Sequence, residues 1–102
     1  MSKYVMLSTL GPDGHARLHS SPERLREVNG DVEAMGVKVL EQYALLGQWD
    51  FLNIVEAPDD LTMAKLATTL AARGTLRTLT LPAIDVEDFI GALGDGEASA
   101  DG

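Results

Sequence analysis

The chain contains no cysteine among its 102 residues. This excludes disulfide bonds, thiolate metal sites, iron–sulfur clusters and a cysteine nucleophile. No apolar run approaches the ~20 residues that a membrane-spanning helix needs, and the run in "MSKYVMLSTLG" is too short for a signal peptide. We therefore expect a cytoplasmic protein with no membrane partner. The length predicts a single domain with one core.

Positive charge is scarce, above all in the second half of the chain. Eight Lys/Arg residues against 16 Asp/Glu residues give a net charge of −8, and no Lys or Arg follows Arg77. Nucleic acids and anionic membranes are repelled by such a surface, and no basic patch interleaved with aromatic residues is present. We therefore expect no nucleic-acid partner.

The hydrophobic pattern predicts four strands and three helices. The strands are expected at residues 3–10, 37–47, 49–57 and 75–83. The first helix is expected to begin at Ser21 and Pro22 and to end at Gly36, with Ser21 as the N-cap. The second is expected from Asp59–Asp60 to Gly74, and a short closing helix follows Asp85. Residues 15–20, "HARLHS", are expected to form a polar loop.

This order of elements predicts an α+β protein with the ferredoxin-like βαββαβ plan. In that plan a four-stranded antiparallel sheet carries two helices on one face, and here a short C-terminal helix is added. We expect one domain at residues 1–93. Residues 94–102, "GDGEASADG", have little to bury and are expected to form a disordered acidic tail.

Both faces of the predicted sheet are apolar. Strand alternation places one set of side chains against the helices: Val5, Leu7, Leu52 and Ile54. A second set is expected on the other face: Tyr4, Met6, Phe51, Val55, Leu79 and Leu81. A soluble monomer would not leave six such side chains facing water together, so we expect a second subunit to cover them. The sequence thus predicts a homodimer or higher oligomer.

Three segments carry a resemblance to a known family. They are "SPERL", "LLGQWDFLNIVEAPDD" and "GTLRTLTLPA", and with them the chain resembles the GYD domain family. The G-x-Y-D motif corresponds to Gly47–Asp50, where Trp49 replaces the tyrosine and removes its phenolic hydroxyl. The resemblance implies a fold similar to the dimeric α/β-barrel proteins and an oligomer. It implies no established reaction and no cofactor.

The Gly47–Asp50 turn supports two interpretations. In the structural one, glycine supplies the special backbone angles of a hairpin and the Asp50 carboxylate accepts nearby backbone N–H groups. In the functional one, Trp49 forms the wall of a pocket and Asp50 acts as a base or holds a ligand. Turn chemistry favours the structural interpretation.

Other titratable residues give weaker signals. His15 and His19 are four residues apart in the expected loop, where either could act as a general base. Glu56, Asp59 and Asp60 form an acidic group, but the last two stand where a helix N-terminus favours negative charge. We therefore predict no metal site.

Arg77 shares the side-chain parity of Leu79 and Leu81 and is expected to enter the face away from the helices. By the same parity Ser8 and Asn53 are expected beside it, so Ser8, Trp49, Asn53 and Arg77 are the predicted ligand-binding residues. An arginine among apolar neighbours needs an anion. That anion could be a ligand or a carboxylate such as Glu41 across a subunit interface.

The leading hypothesis is an oligomeric protein that binds a small organic molecule, partly apolar and anionic, in the cleft between packed sheets. The alternative is a cofactor-independent enzyme, oxygenase- or isomerase-like, with His15 or His19 as its base. A purely structural assembly module also fits, because the predicted interface needs no ligand.

Overall fold

The computed structural model describes residues 1–74 and 76–101, and side chains are described except at position 12 and positions 95–101. The elements in chain order are β1 (Ser2–Leu10), α1 (Pro12–Ser20), α2 (Arg24–Ala34), β2 (Lys38–Ala44), β3 (Phe51–Ala57), α3 (Asp60–Ala72), β4 (Leu76–Ala83) and α4 (Val86–Asp101). The disordered tail predicted for residues 94–102 falls almost entirely outside the described side chains and stays a prediction.

The four strands form one antiparallel sheet in the order β2-β3-β1-β4. This is the ferredoxin-like strand order, so the predicted α+β fold is confirmed. The first strand of the chain, β1, lies in the middle of the sheet. The two outer strands are β2, whose pairing with β3 shifts between Val39 and Glu41, and β4, which contains Pro82 near its end.

The segment predicted to be a polar loop is instead the helix α1. Its start follows Gly11, with proline at the first position and Asp13 in the first turn, and Arg17 and His19 lie in its last turn. Each of these features favours a helix at that end of its dipole. The polar composition that suggested a loop belongs to a helix whose side chains are mostly exposed.

The predicted role of Ser21 as a helix N-cap is wrong. Its backbone N–H donates to the carbonyl of Arg17 at 2.9 Å and closes α1, while its own carbonyl accepts the N–H of Arg24 at 3.1 Å. The first turn after Pro22 is not yet α-helical, and α2 begins at Arg24 without a side-chain cap. By contrast, Asp59 caps α3 as predicted, because its carboxylate accepts the Thr62 N–H at 2.8 Å.

The core lies between the sheet and the helices and is formed by both. On β1 and β3, Tyr4, Met6 and Val55 are at most 3 % exposed and pack with Val32, Val37, Met63, Leu66 and Leu70. We name the side chains on this side the covered face: Tyr4, Met6, Ser8, Phe51, Asn53 and Val55.

The prediction that Val5, Leu7, Leu52 and Ile54 face the helices is therefore wrong. The alternation separated the two rows of side chains correctly on β1 and β3, but the rows are similarly apolar and the wrong one was placed under the helices. A polar contact distinguishes them: the Tyr4 hydroxyl donates to the Asp60 carboxylate at the start of α3. This hydrogen bond and burial raise the pKa of Tyr4.

The opposite side of the sheet carries an apolar surface without a helix over it. We name it the open face and define it by Val5, Leu7, Leu52, Ile54, Leu79 and Leu81, which alternate with the covered face in the strand pairing. Leu79 and Leu81 are 42 % and 46 % exposed. Apolar side chains on both faces of the sheet are thus confirmed, although β1 and β3 contribute different residues from those predicted.

Candidate functional site

A cavity of about 50 Å³ lies between the sheet and the first two helices. Its walls are mostly apolar and come from five elements: Leu10 on β1, Leu18 on α1, Leu25 and Val28 on α2, Phe51 on β3 and Leu76 on β4. Polar groups also reach it, from Ser8, Gln42 and Asn53 on the strands and from Arg17 and Arg24 on the helices. An apolar cavity with few polar groups is the usual form of a small-molecule site.

The polar groups of the cavity differ in how they are bonded. Gln42 accepts a hydrogen bond from Asn29 Nδ2 at 2.8 Å, which ties α2 to β2. Ser8 is buried at 4 % exposure. The Oδ1 atom of Asn53 is also buried, and no group in the described chain donates to it. An unpaired buried acceptor costs about 1–3 kcal/mol, so this atom is suited to a hydrogen-bond donor from a ligand.

The predicted ligand-binding quartet is divided between two places. Ser8 and Asn53 line the cavity beneath α1 and α2. Trp49 and Arg77 line a separate pocket of about 270 Å³ with Thr9. The expectation that all share one face is wrong, because Arg77 pairs with Thr9 on the side of the open face whereas Ser8 and Asn53 belong to the covered face. A binding role for each residue stays a prediction.

Asp50 fixes the turn between β2 and β3. Its Oδ2 atom accepts the N–H of Leu10 at 2.8 Å, and its own N–H donates to the carbonyl of Ser8 at the same distance. Gly47 in this turn has φ +116°, a conformation that favours glycine. These are the contacts that the structural interpretation of the turn predicts, and none of them requires the aromatic hydroxyl that Trp49 lacks.

The two histidines lie on α1 rather than in a loop. His15 Nε2 is 3.4 Å from Asp50 Oδ2, so two of the three catalytic candidates are brought together at the start of the helix. His19 is exposed one turn later, and within the described chain it has no hydrogen-bond or ion-pair partner. Over the same residues, no three His, Asp or Glu side chains are grouped to hold a metal ion.

The predicted pairing of Arg77 with Glu41 does not occur within one chain. Glu41 Oε1 instead accepts the hydroxyl of Tyr43 at 2.7 Å, and this hydrogen bond to a carboxylate raises the pKa of Tyr43. Tyr43 pairs with Leu52 and so lies on the side of the open face. Pairing of Arg77 with a carboxylate across a subunit interface stays a prediction.

Two arginines of the cavity were not among the predicted residues. Gly14, Arg17 and Leu18 have i, i+3, i+4 spacing and therefore share one side of α1. That signal is present in the sequence, but it has meaning only if the segment is helical. Because residues 15–20 were predicted to be a loop, this shared side of α1 was not recognised.

Comparison with known proteins agrees with this architecture. The sequence profile of the GYD domain matches residues 4–93. The chain belongs to the GYD domain family. A family relative from the bacterium Thermus thermophilus is 48% identical over 94 residues, which cover 91% of this chain and 99% of the relative. That protein is named "Glutamine synthetase and cystathionine beta-lyase binding protein".

The GYD resemblance predicted from the three sequence segments is thus confirmed. In the described part of the chain, no helix combines the length and apolar character needed to cross a bilayer. The family match ends at residue 93, within α4. The beginning of α4 therefore belongs to the family's shared domain.

Proposed function

We propose that this GYD protein is a homodimer that binds an enzyme, with glutamine synthetase and cystathionine beta-lyase as the partners to test first. The observation that carries the proposal is the relative named for binding these two enzymes, which aligns over 99% of its own length. The chain also has two unpartnered apolar surfaces, the open face and one side of α4, which suit two different occupants.

The open face suits a second copy of this chain. It is a sheet surface, and the charges on its side of the sheet are of both signs: Lys3, Lys38 and Arg77 against Glu41 and Glu56. A surface with both signs of charge can meet its own copy with unlike charges opposed, and a two-fold axis would let each subunit cover the other's leucines. A small ligand held between the two sheets, as the sequence predicted, would meet Arg77 but not Ser8 or Asn53.

The apolar side of α4 suits a protein other than this one. Val86, Phe89, Ile90 and Leu93 share that side and are each more than half exposed. Glu87 and Asp88 lie on the same helix, and no basic residue follows Arg77. An acidic helix in a chain of net charge −8 repels its own copy. Its complement is an apolar groove with a basic rim.

The start of α4 is held in place by an ion pair. Lys3 Nζ donates to Asp85 Oδ1 at 3.0 Å, and this contact with the carboxylate raises the pKa of Lys3. The bond joins the first strand to the residue before the helix. It is an exposed contact between the sheet and the start of α4, the helix whose apolar side is proposed to contact an enzyme.

The test is a binding measurement with purified enzymes from the organism that encodes this chain. Glutamine synthetase or cystathionine beta-lyase is immobilised and titrated with the unmodified protein, with Phe89→Ser and with Ile90→Ser. We expect saturable binding of the unmodified protein and a loss of at least ~10-fold for each α4 variant, as truncation of a buried interface residue produces.

Leu61→Ser is the matched control, because Leu61 is an exposed leucine on a different helix, α3, and is 78 % exposed. It should bind as the unmodified protein does. If neither enzyme binds the unmodified protein at micromolar concentration, the proposed partners are wrong. If both bind and the α4 variants bind equally well, α4 is not the surface that contacts them.

A further inference from the structure

We propose that the cavity beneath α1 and α2 binds a small organic anion: a short apolar chain that carries one carboxylate and, next to it, a hydrogen-bond donor. The cavity lies on the covered side of the sheet, away from the open face. The inference does not depend on an enzyme partner, and it concerns a different place from the cleft between two sheets.

The apolar walls select the body of the ligand. A volume of about 50 Å³ holds roughly three to five water-sized groups, since one such group needs about 10–15 Å³ on the same measure. Leu18, Leu25 and Phe51 are among the side chains around it. A chain of three to five carbons is therefore the size that we expect to fill this space.

The two arginines select the charge of the ligand. Within the described residues, the ion pairs to carboxylates involve Lys3, His15, Arg26 and Arg73, and neither Arg17 nor Arg24 makes one. Lys38, Lys65 and Arg77 also make none within these residues, but Arg17 and Arg24 are the basic residues that line this cavity. Two guanidinium groups at one cavity, left without protein carboxylates, can hold a ligand carboxylate in their forked geometry.

The buried amide oxygen of Asn53 selects a second group. Its Oδ1 atom accepts no hydrogen bond within the described chain, while Ser8 and Gln42 supply the other polar atoms of the cavity. An acceptor can be satisfied only by a donor, so the ligand must carry an O–H or N–H near the carboxylate. Hydroxy acids and amino acids with short apolar side chains have this chemistry.

The experiment is a titration of the full chain, followed by amide chemical shifts in NMR, with three probes of equal length. The probes are 2-hydroxypentanoate, pentanoate and pentan-1-ol. We expect saturable shifts at Ser8, Asn53 and the α1 amides with the hydroxy acid. Pentanoate should bind about 3–10-fold more weakly because it lacks the donor, and pentan-1-ol more weakly still because it lacks the charge.

Paired variants test which residues cause each preference. The double variant Arg17→Gln/Arg24→Gln should bind both acids about 10-fold or more weakly, and its affinity for the alcohol should be unchanged. Arg26→Gln is the matched control on α2, because Arg26 is paired with Glu23 and does not line the cavity. Asn53→Leu should remove the preference for the hydroxy acid over pentanoate.

Two results would overturn the proposal. One is the absence of saturable shifts with every probe in the folded, unmodified protein at millimolar concentration. The other is binding that the double arginine variant and Arg26→Gln change equally, since that would indicate a general effect of charge rather than a site. The order of the three probes in the unmodified protein remains a test of the donor and the charge even if Asn53→Leu does not fold.

Discussion

The two faces of the sheet are built from similar side chains and have different environments. The covered face holds Tyr4, Met6 and Val55 at 3 % exposure or less, whereas Leu79 and Leu81 on the open face are more than 40 % exposed. Hydrophobicity therefore does not decide which row of side chains the helices cover. A polar contact distinguishes the two rows: on the covered face, the Tyr4 hydroxyl donates a hydrogen bond to Asp60 of α3.

The largest expected effect is on the covered face. Leu66 on α3 is fully buried in the core, and Leu66→Ala should lower the free energy of unfolding by about 2–5 kcal/mol, because it removes apolar contacts and leaves a cavity. Urea denaturation followed by the fluorescence of Trp49, the single tryptophan, measures this. A loss below about 1 kcal/mol would show that the core is not packed as described.

The corresponding change on the open face should alter assembly instead of folding. Leu79→Asp places a charge at the proposed dimer contact, twice per dimer, and should raise the dissociation constant by about 100-fold or more. Sedimentation velocity over a range of concentrations measures this. Leu61→Asp, at an exposed leucine of α3, is the control and should leave the sedimentation unchanged. An unmodified protein that sediments as a monomer at every concentration would contradict the proposed homodimer.

A smaller effect is expected at the turn that joins β2 to β3. Asp50→Ala removes the acceptor of the Leu10 N–H and should cost about 1–3 kcal/mol of unfolding free energy. Glu33→Ala, at an exposed position of α2, should change it by less than about 0.5 kcal/mol. Trp49→Tyr restores the aromatic residue of the family motif and should be nearly neutral. If Asp50→Ala is also neutral, the carboxylate does not stabilise the turn.

The smallest effect concerns the cap of α3 and its dependence on pH. Hydrogen bonds from the Thr62 hydroxyl and N–H lower the pKa of Asp59 from its ordinary value. Since the folded-state pKa is the lower one, the contribution of the cap is complete above the unfolded value of about 3.9 and is lost as the pH falls through the folded value. Asp59→Ala should therefore lower the midpoint of thermal unfolding by a few degrees at pH 7.

Thermal unfolding at pH 7 and at pH 2.5 checks this prediction for Asp59→Ala. The difference between the variant and the unmodified protein should shrink at the lower pH, because protonation removes the charged acceptor from the unmodified protein and the variant already lacks it. A difference of equal size at both pH values would show that Asp59 acts through something other than its carboxylate charge.

Most of the fold could be predicted from the sequence, because its signals are local. Gly36, Gly47 and Gly74 have positive φ and lie at or near the predicted ends of elements, and Asp59 caps the predicted helix. The loop predicted at residues 15–20 was wrong because α1 has little apolar surface, and polar composition alone does not separate a solvated helix from a loop. Which row of side chains on β1 and β3 faces the helices depends on contacts between residues that are distant in sequence, so alternation along each strand could not decide it.

The candidate site depended on these two errors. Ser8 and Asn53 were chosen for their parity with Arg77, and the structure places them instead in a cavity that helices cover. Arg17 and Arg24 were missed because their common location requires α1 to be a helix. Asp50 was easier to interpret, because the turn around Gly47 could be recognised from the sequence, although the carboxylate bonds to Leu10 on β1 and not to the turn itself.

The outer strands of the sheet limit how copies of this protein can associate. β4 contains Pro82, which has no N–H to donate to a neighbouring strand, and the irregular pairing of β2 at Val39 and Glu41 disturbs the other border. The addition of a strand from another copy is therefore disfavoured at both edges of the sheet. Association through the open face would end after a pair, because helices cover the other face of each sheet.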